Sequence, residues 1–248
     1  MLRAGIAVSR SAAQSVVFDL PGCAYAGDSA EHVRAMLPVV VAEFGAWLAT
    51  HGEPVPDHEV RFVEQIDADE AEGVEGEWIF EDDRLALDDG EVERSVRWMG
   101  YARADLLAAV DGVPDEILDW RPPATAMMRI DPWKPVPLTI REIVRDVVSA
   151  ESYYRRGLSD GRVADEPADV AQEMALQRDR LVEMLRGLDG DARGRVYRPI
   201  RSWQNAPEVW TARKVVRRVI SHERFHTAEI RQRMSWLLLG VPSVVRDG

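Results

Sequence analysis

The sequence predicts an α+β chain: a small β-β-β-α-β module at the N-terminus, followed by an all-α four-helix bundle. Three observations carry this. Short β-branched runs separated by turn residues crowd the first quarter, a dense acidic stretch then breaks the pattern, and beyond it apolar residues recur at three- and four-residue spacing in four long segments. At 248 residues and 46% hydrophobic content, the chain is long enough for two medium domains, each with its own core. The boundaries fall at 1–66 for the module, 67–89 for an acidic connector and 90–248 for the helical part.

Within the module, residues 2–8 and 15–18 are strand-like runs. The turn residues Asp19, Leu20, Pro21 and Gly22 follow, then a third short run over 23–26. Ser29 is a suitable N-cap for a helix reaching about Thr50. Val33, Leu37, Val40, Val41, Phe44, Trp47 and Leu48 mark its apolar side. Pro38 removes one backbone bond and clashes with the carbonyl of Arg34, which predicts a kink. His51, Gly52 and Pro54 stop the helix. Val60, Phe62 and Ile66 alternate with polar residues, as in a strand returning to the sheet with one polar face.

Residues 1–66 resemble the HicB-like antitoxin fold. The likeness rests on Phe18-Asp19-Leu20-Pro21-Gly22-Cys23, on Gly27-Asp28-Ser29 at the helix entry, and on Trp47-Leu48 followed by Gly52-Glu53-Pro54-Val55-Pro56 at its exit. It implies a module that binds a toxin-like or RNA-related partner. Four Arg/Lys against eight Asp/Glu in this segment leave no basic surface for RNA, so a protein partner or dimerisation is the expectation. Cys23 is the single cysteine; it excludes an intrachain disulfide and a cysteine-based zinc site, and reads as a small packing residue at the turn.

The charge is concentrated. Residues 67–93 carry thirteen acids and one base, Arg84, which accounts for the whole formal charge of −12. Such a run reads as a solvated connector. With no cluster of Lys and Arg nearby, general nucleic-acid affinity is not expected. No stretch approaches the ~20 apolar residues that span a bilayer, so a cytoplasmic location without a membrane contact is expected.

Four helices follow. Asp88 or Asp89 caps one running to about Val110, with Val92, Val96, Met99, Leu106, Leu107 and Val110 on one side. Gly112 and Pro114 end it, and a proline-rich loop extends from Trp120 to Pro137. Thr139 and Glu142 form a capping-box pair opening the second helix, with Ile140, Ile143, Val147, Ala150 and Tyr154 along one face. The third spans about 169–188, with Val170, Met174, Leu181, Met184, Leu185 and Leu188. Thr211 caps a fourth that continues to Leu239, where Gly240 and Pro242 stop it. Trp203, Gln204, Trp210, Tyr153 and Tyr154 could rim a pocket, although aromatics in these places more often pack in a core.

The chemistry concentrates on the fourth helix. Val215, Val219, His222, His226, Ile230 and Leu237 follow one another at helical spacing, so both histidines face inward, one turn apart. Two imidazoles so placed can share one metal ion, and burying them unpaired costs about 1–3 kcal/mol each. Taken alone, the pair is also compatible with two core histidines bonded to their neighbours. His222-Glu223-Arg224-Phe225-His226 also fits the H-E-x-x-H pattern of zinc peptidases. No third ligand follows it and no substrate-binding strand precedes it, so Glu223 reads instead as a flank residue pairing with Arg on the helix surface.

Residues 138–151 (Leu138-Thr139-Ile140-Arg141-Glu142-Ile143-Val144-Arg145-Asp146-Val147-Val148-Ser149-Ala150-Glu151) and 221–231 (Ser221-His222-Glu223-Arg224-Phe225-His226-Thr227-Ala228-Glu229-Ile230-Arg231) are similar to the second and last helices of the DinB/YfiT-like metalloprotein family. The likeness spans roughly 90–240. It implies a four-helix bundle holding a divalent metal, most often zinc or nickel, through one His of the second helix and two of the last. His222 and His226 take the last two places. Asp146 stands where the family usually has His. Either it ligates through oxygen, giving a two-His-one-carboxylate set that also suits iron or manganese, or the site is vestigial. Glu151 is a reserve ligand or an acceptor behind the ligands, and equally a partner for an Arg. The resemblance further implies a metal-dependent thiol S-transferase or hydrolase acting on a small-molecule or thiol substrate, with homodimers formed through helix faces. The other expectation is a non-enzymatic antitoxin-like or scaffold protein.

Overall fold

The computed structural model describes residues 1–71, 78–123, 138–158, 170–198 and 208–240. The N-terminal elements are β1 (Leu2–Val8), β2 (Ala13–Val17), β3 (Ala24–Gly27), α1 (Ala30–Thr50) and β4 (Val60–Asp67). They form one sheet in the order β3-β2-β1-β4, with β1 antiparallel to β2 and parallel to β4. The parallel pair is possible because α1 carries the chain back across the sheet. Ser29 caps α1, its hydroxyl accepting from His32 N, and the helix continues through Pro38 to Thr50. Contrary to the expectation that no stretch approaches a bilayer span, α1 is, of the described helices, the one long and apolar enough to cross a membrane, but Val33, Leu37, Val41, Phe44 and Leu48 are buried in the protein core.

The sequence suggested a solvated connector after β4; residues 78–87 are instead part of the body of the protein. Trp78 and Phe80 cover the second face of the sheet against Ala7, Val16 and Phe18. Burying an aromatic side chain contributes about 1.5–3 kcal/mol, which outweighs the local pull of solvent on neighbouring acids. Gly5 permits the approach: a Cβ there would meet the Phe80 ring at 2.7 Å. A 3-10 turn (Asp82–Arg84) then buries Asp83, which accepts from Nε and Nη2 of Arg217, both at 2.8 Å. Its neighbour Asp82 accepts from Arg3 at 2.6 Å.

The bundle follows as α2 (Asp89–Val110), the single turn α3 (Asp115–Leu118), α4 (Ile140–Gly157), α5 (Val170–Gly187), the single turn α6 (Gly190–Arg193) and α7 (Ala212–Leu238). The expected caps are present: capping boxes at Asp88/Glu91 and Thr139/Glu142, and Thr211 on α7. The four long helices close a ring in which α7 touches α2 and α4, and α5 touches the same two. Leu107, expected on the inner side of α2, is 48% exposed; the buried stripe runs through Met99, Ala102, Arg103 and Leu106.

The two parts do not bury separate cores. Leu2, Ala4, Val17, Leu37 and Phe44 belong to the same cluster as Trp98, Tyr154, Val215, Val219 and Trp210. The turn after β2 meets α7 directly. Gly22 adopts φ +93°, and a Cβ on it would lie 2.3 Å from Ile220 Cγ2. Cys23 beside it is buried. Trp210, Tyr153 and Tyr154 form one cluster of tilted and edge-on rings in that core, so they pack as aromatics usually do. Trp203, Gln204 and the part of the proline-rich loop over 124–137 lie outside the described residues.

Candidate metal centre

His222 and His226 stand one turn apart on the α7 face directed at α4. Their Nε2 atoms are 3.2 Å apart. From α4, Asp146 directs Oδ2 between them, 3.1 Å from His226 Nε2 and 3.7 Å from His222 Nε2. Two ligands around an ion at metal–donor distances near 2.0–2.1 Å lie about 3.0–3.4 Å from each other, so these separations fit one shared ion with little movement. Among the described residues, this is the one group of three His, Cys, Asp or Glu donors close enough for that.

The residues around the donors fix their roles. His226 Nδ1 meets Glu229 Oε2 at 2.8 Å, and Arg233 Nη2 donates to Glu229 Oε1 at 2.6 Å. A carboxylate only accepts, so Nδ1 carries a hydrogen toward Glu229, while Nε2 faces Asp146 Oδ2, to which it donates when His226 is charged and with which it could share a cation when His226 is neutral. Burial works against a charged His226, but hydrogen bonds to Asp146 and Glu229, with their negative charge, outweigh it and raise its pKa above the ordinary value. The His226 side chain is 6% exposed, His222 18% and Asp146 27%, so the cluster opens to solvent on the Asp146 side.

Glu151 is not part of this cluster. It and Glu223 form a closed ring of buried ion pairs with Arg103 and Arg178. Arg103 donates from Nη2 to Glu151 at 2.5 Å and from Nε to Glu223; Arg178 donates from Nε to Glu151 at 2.5 Å and from Nη2 to Glu223 at 2.6 Å. Each guanidinium also donates to a backbone carbonyl, Arg103 to Met174 and Arg178 to Met99. Glu223, expected on the helix surface, is therefore buried, although its partners are arginines as expected. Both its oxygens are held by guanidinium groups, which removes it as the free general base of a peptidase. A small recess is bordered by Glu151, Arg178 and Glu223 of the ring and by His222 of the triad, with Val147, Tyr154 and Val219 completing its walls.

Arg103, Arg178 and Glu229 did not emerge from the sequence as site residues. The signal for the first two was present. Arg103 lies between Met99 and Leu106, and Arg178 between Met174 and Leu181, so each interrupts the apolar stripe of its helix.

Fold and cluster together define a four-helix bundle with a candidate divalent-cation centre between its second and last long helices. The model of the DinB superfamily matches residues 100–230, and the chain belongs to that superfamily. Among solved structures it is similar to YfiT from Bacillus subtilis, described as a probable metal-dependent hydrolase with an unusual four-helix bundle topology. That likeness has a TM-score of 0.43 and 17% sequence identity, and covers 63% of this chain and 92% of that one. No curated protein matches the chain.

Proposed function

We propose that the protein is a divalent-metal-dependent enzyme of the DinB type, a hydrolase or a thiol S-transferase, with Asp146, His222 and His226 as its ligands. The observation that carries this reading is the convergence of the three donor atoms within 4.8 Å of one another. Two nitrogens and one carboxylate oxygen suit zinc or nickel, and also iron or manganese. When bound, such an ion supplies Lewis acidity that makes a coordinated water or thiol a nucleophile at neutral pH. Asp146 brings the negative charge and the open side. Glu229 orients His226 through Nδ1, Val147 and Val219 close the recess with apolar walls, and Tyr154 sets its ring edge-on to His222 at 5.9 Å. The N-terminal segment, in its resemblance to HicB-like modules, is a docking domain for a protein partner or a second copy of the chain. The whole acts in the cytoplasm.

A specific observation favours a second reading, a binding or scaffold protein with a vestigial site. The same 3.1 and 3.2 Å separations also suit a hydrogen-bonded triad. Elemental analysis of untagged protein decides between the two. Near-stoichiometric metal that is lost in Asp146→Ala supports the enzyme, whereas protein that takes up no zinc, nickel, manganese or iron supports the scaffold.

A further inference from the structure

The buried ring beside the triad holds four charges that the packing of the bundle does not require. Each long helix contributes one: Arg103 from α2, Glu151 from α4, Arg178 from α5 and Glu223 from α7. The signs alternate, so each guanidinium touches both carboxylates. Buried ion pairs are poor stabilisers, since apolar side chains of similar volume often hold a core as well or better. The ring's position points to a different role. Glu223 follows His222 directly on α7, Glu151 stands five residues after Asp146 on α4, and Glu151, Glu223, Arg178 and His222 line one recess. Fixed charges buried as these are, with side chains at most 11% exposed, act on a nearby dication at an effective dielectric below that of water.

We propose that the net charge of this ring, zero with all four groups ionised, sets the affinity of the Asp146–His222–His226 triad for a divalent cation. Glu151 and Glu223 attract the ion, and Arg103 and Arg178 oppose them. The inference rests on the metal reading above. Burial works against the charged form of Arg178, yet its attraction to Glu151 and Glu223 prevails and holds it above the ordinary arginine value, so Arg178 stays charged. The four are positioning residues, acting on the ion through the field across the recess. Removing one arginine leaves the ring at −1 and tightens the site; removing one glutamate leaves it at +1 and weakens the site. A ring that served only as a brace would weaken it in both cases.

The test uses the full chain, stripped with chelator and titrated with Co²⁺ by visible absorption, with circular dichroism to verify the fold. Arg178→Gln is expected to tighten Co²⁺ about tenfold and Glu151→Gln to weaken it about tenfold. The neutral double variant Glu151→Gln/Arg178→Gln returns close to wild type. Arg103→Gln and Glu223→Gln repeat the two signs, so the comparison survives the misfolding of any one variant. Both signs weakening together, or neither moving while wild type binds Co²⁺, overturns the ring's role and leaves the metal centre standing. Wild-type protein that binds no Co²⁺ overturns both.

Discussion

Replacing Glu223 with leucine removes the carboxylate that closes the ring on α7. Arg103 loses the partner of its Nε and Arg178 that of its Nη2, which leaves two guanidiniums with side chains only 10% and 11% exposed sharing Glu151. Breaking one partner out of a buried ion pair costs about 3–5 kcal/mol, because the surviving charge stays desolvated. Leucine's own burial offsets part of this, so a net loss of about 2–4 kcal/mol is expected. For a chain of this size each kcal/mol moves the midpoint by roughly 2–4 °C, so the thermal transition falls by about 4–16 °C. Thermal unfolding by circular dichroism, with urea midpoints at constant m-value, measures this directly. A double change that also removes Arg178 costs less than the two single changes added together. A Glu223→Leu variant within about 0.5 kcal/mol of wild type, the range of ordinary surface substitutions, would refute the reasoning and return Glu223 to the helix surface.

Other consequences follow from the same contacts. Gly22→Ala combines a positive φ with a Cβ that would lie 2.3 Å from Ile220; it should destabilise by about 2 kcal/mol or more, read as a lower urea midpoint, and an unchanged midpoint would show that the turn does not abut α7. Cys23 is pushed up to about 12 from 9.0, chiefly by burial, with Arg224 pulling the other way. Its folded pKa is raised, so its contribution to stability is complete below pH 9 and is lost as pH rises toward 12, at about 1.4 kcal/mol per unit at most. The thiol should resist iodoacetamide at pH 8 in the native protein and react in urea; native labelling at the rate of a free thiol would contradict its burial. Glu229→Gln removes the charge that fixes the His226 tautomer, and metal affinity should fall about 10–100-fold with the circular dichroism spectrum unchanged; unaltered affinity would leave Glu229 no part in orienting His226.

The elements were legible where short-range chemistry decides them. Ser29, Asp88, Thr139 and Thr211 each satisfy backbone N–H groups within their own first turn, so the sequence alone marks the helix starts. The triad was legible through the i, i+4 spacing of His222 and His226 and, for Asp146, through resemblance. What escaped depends on partners far along the chain. The acids at 82 and 83 look like part of a solvated run until Arg217, 134 residues after Asp83, supplies a buried counter-charge. Glu223 looked like a flank residue because a single apolar stripe was traced on α7, whereas that helix is buried on several sides, with Lys214, Arg217, Glu223 and Arg233 all inside. Four charged residues on four apolar stripes, two of each sign, was the available clue to the ring.

The proposed function stands or falls on whether Asp146, His222 and His226 together hold one divalent ion. The most direct measurement is the metal content of untagged protein purified without added metal, compared with His222→Ala and Asp146→Ala, with circular dichroism to verify that each remains folded. Wild type is expected to hold close to one ion per chain, and both variants to lose it with the bundle intact. Metal retained in the folded variants, or a wild-type protein that takes up none after incubation with zinc, nickel, manganese or iron, would contradict it.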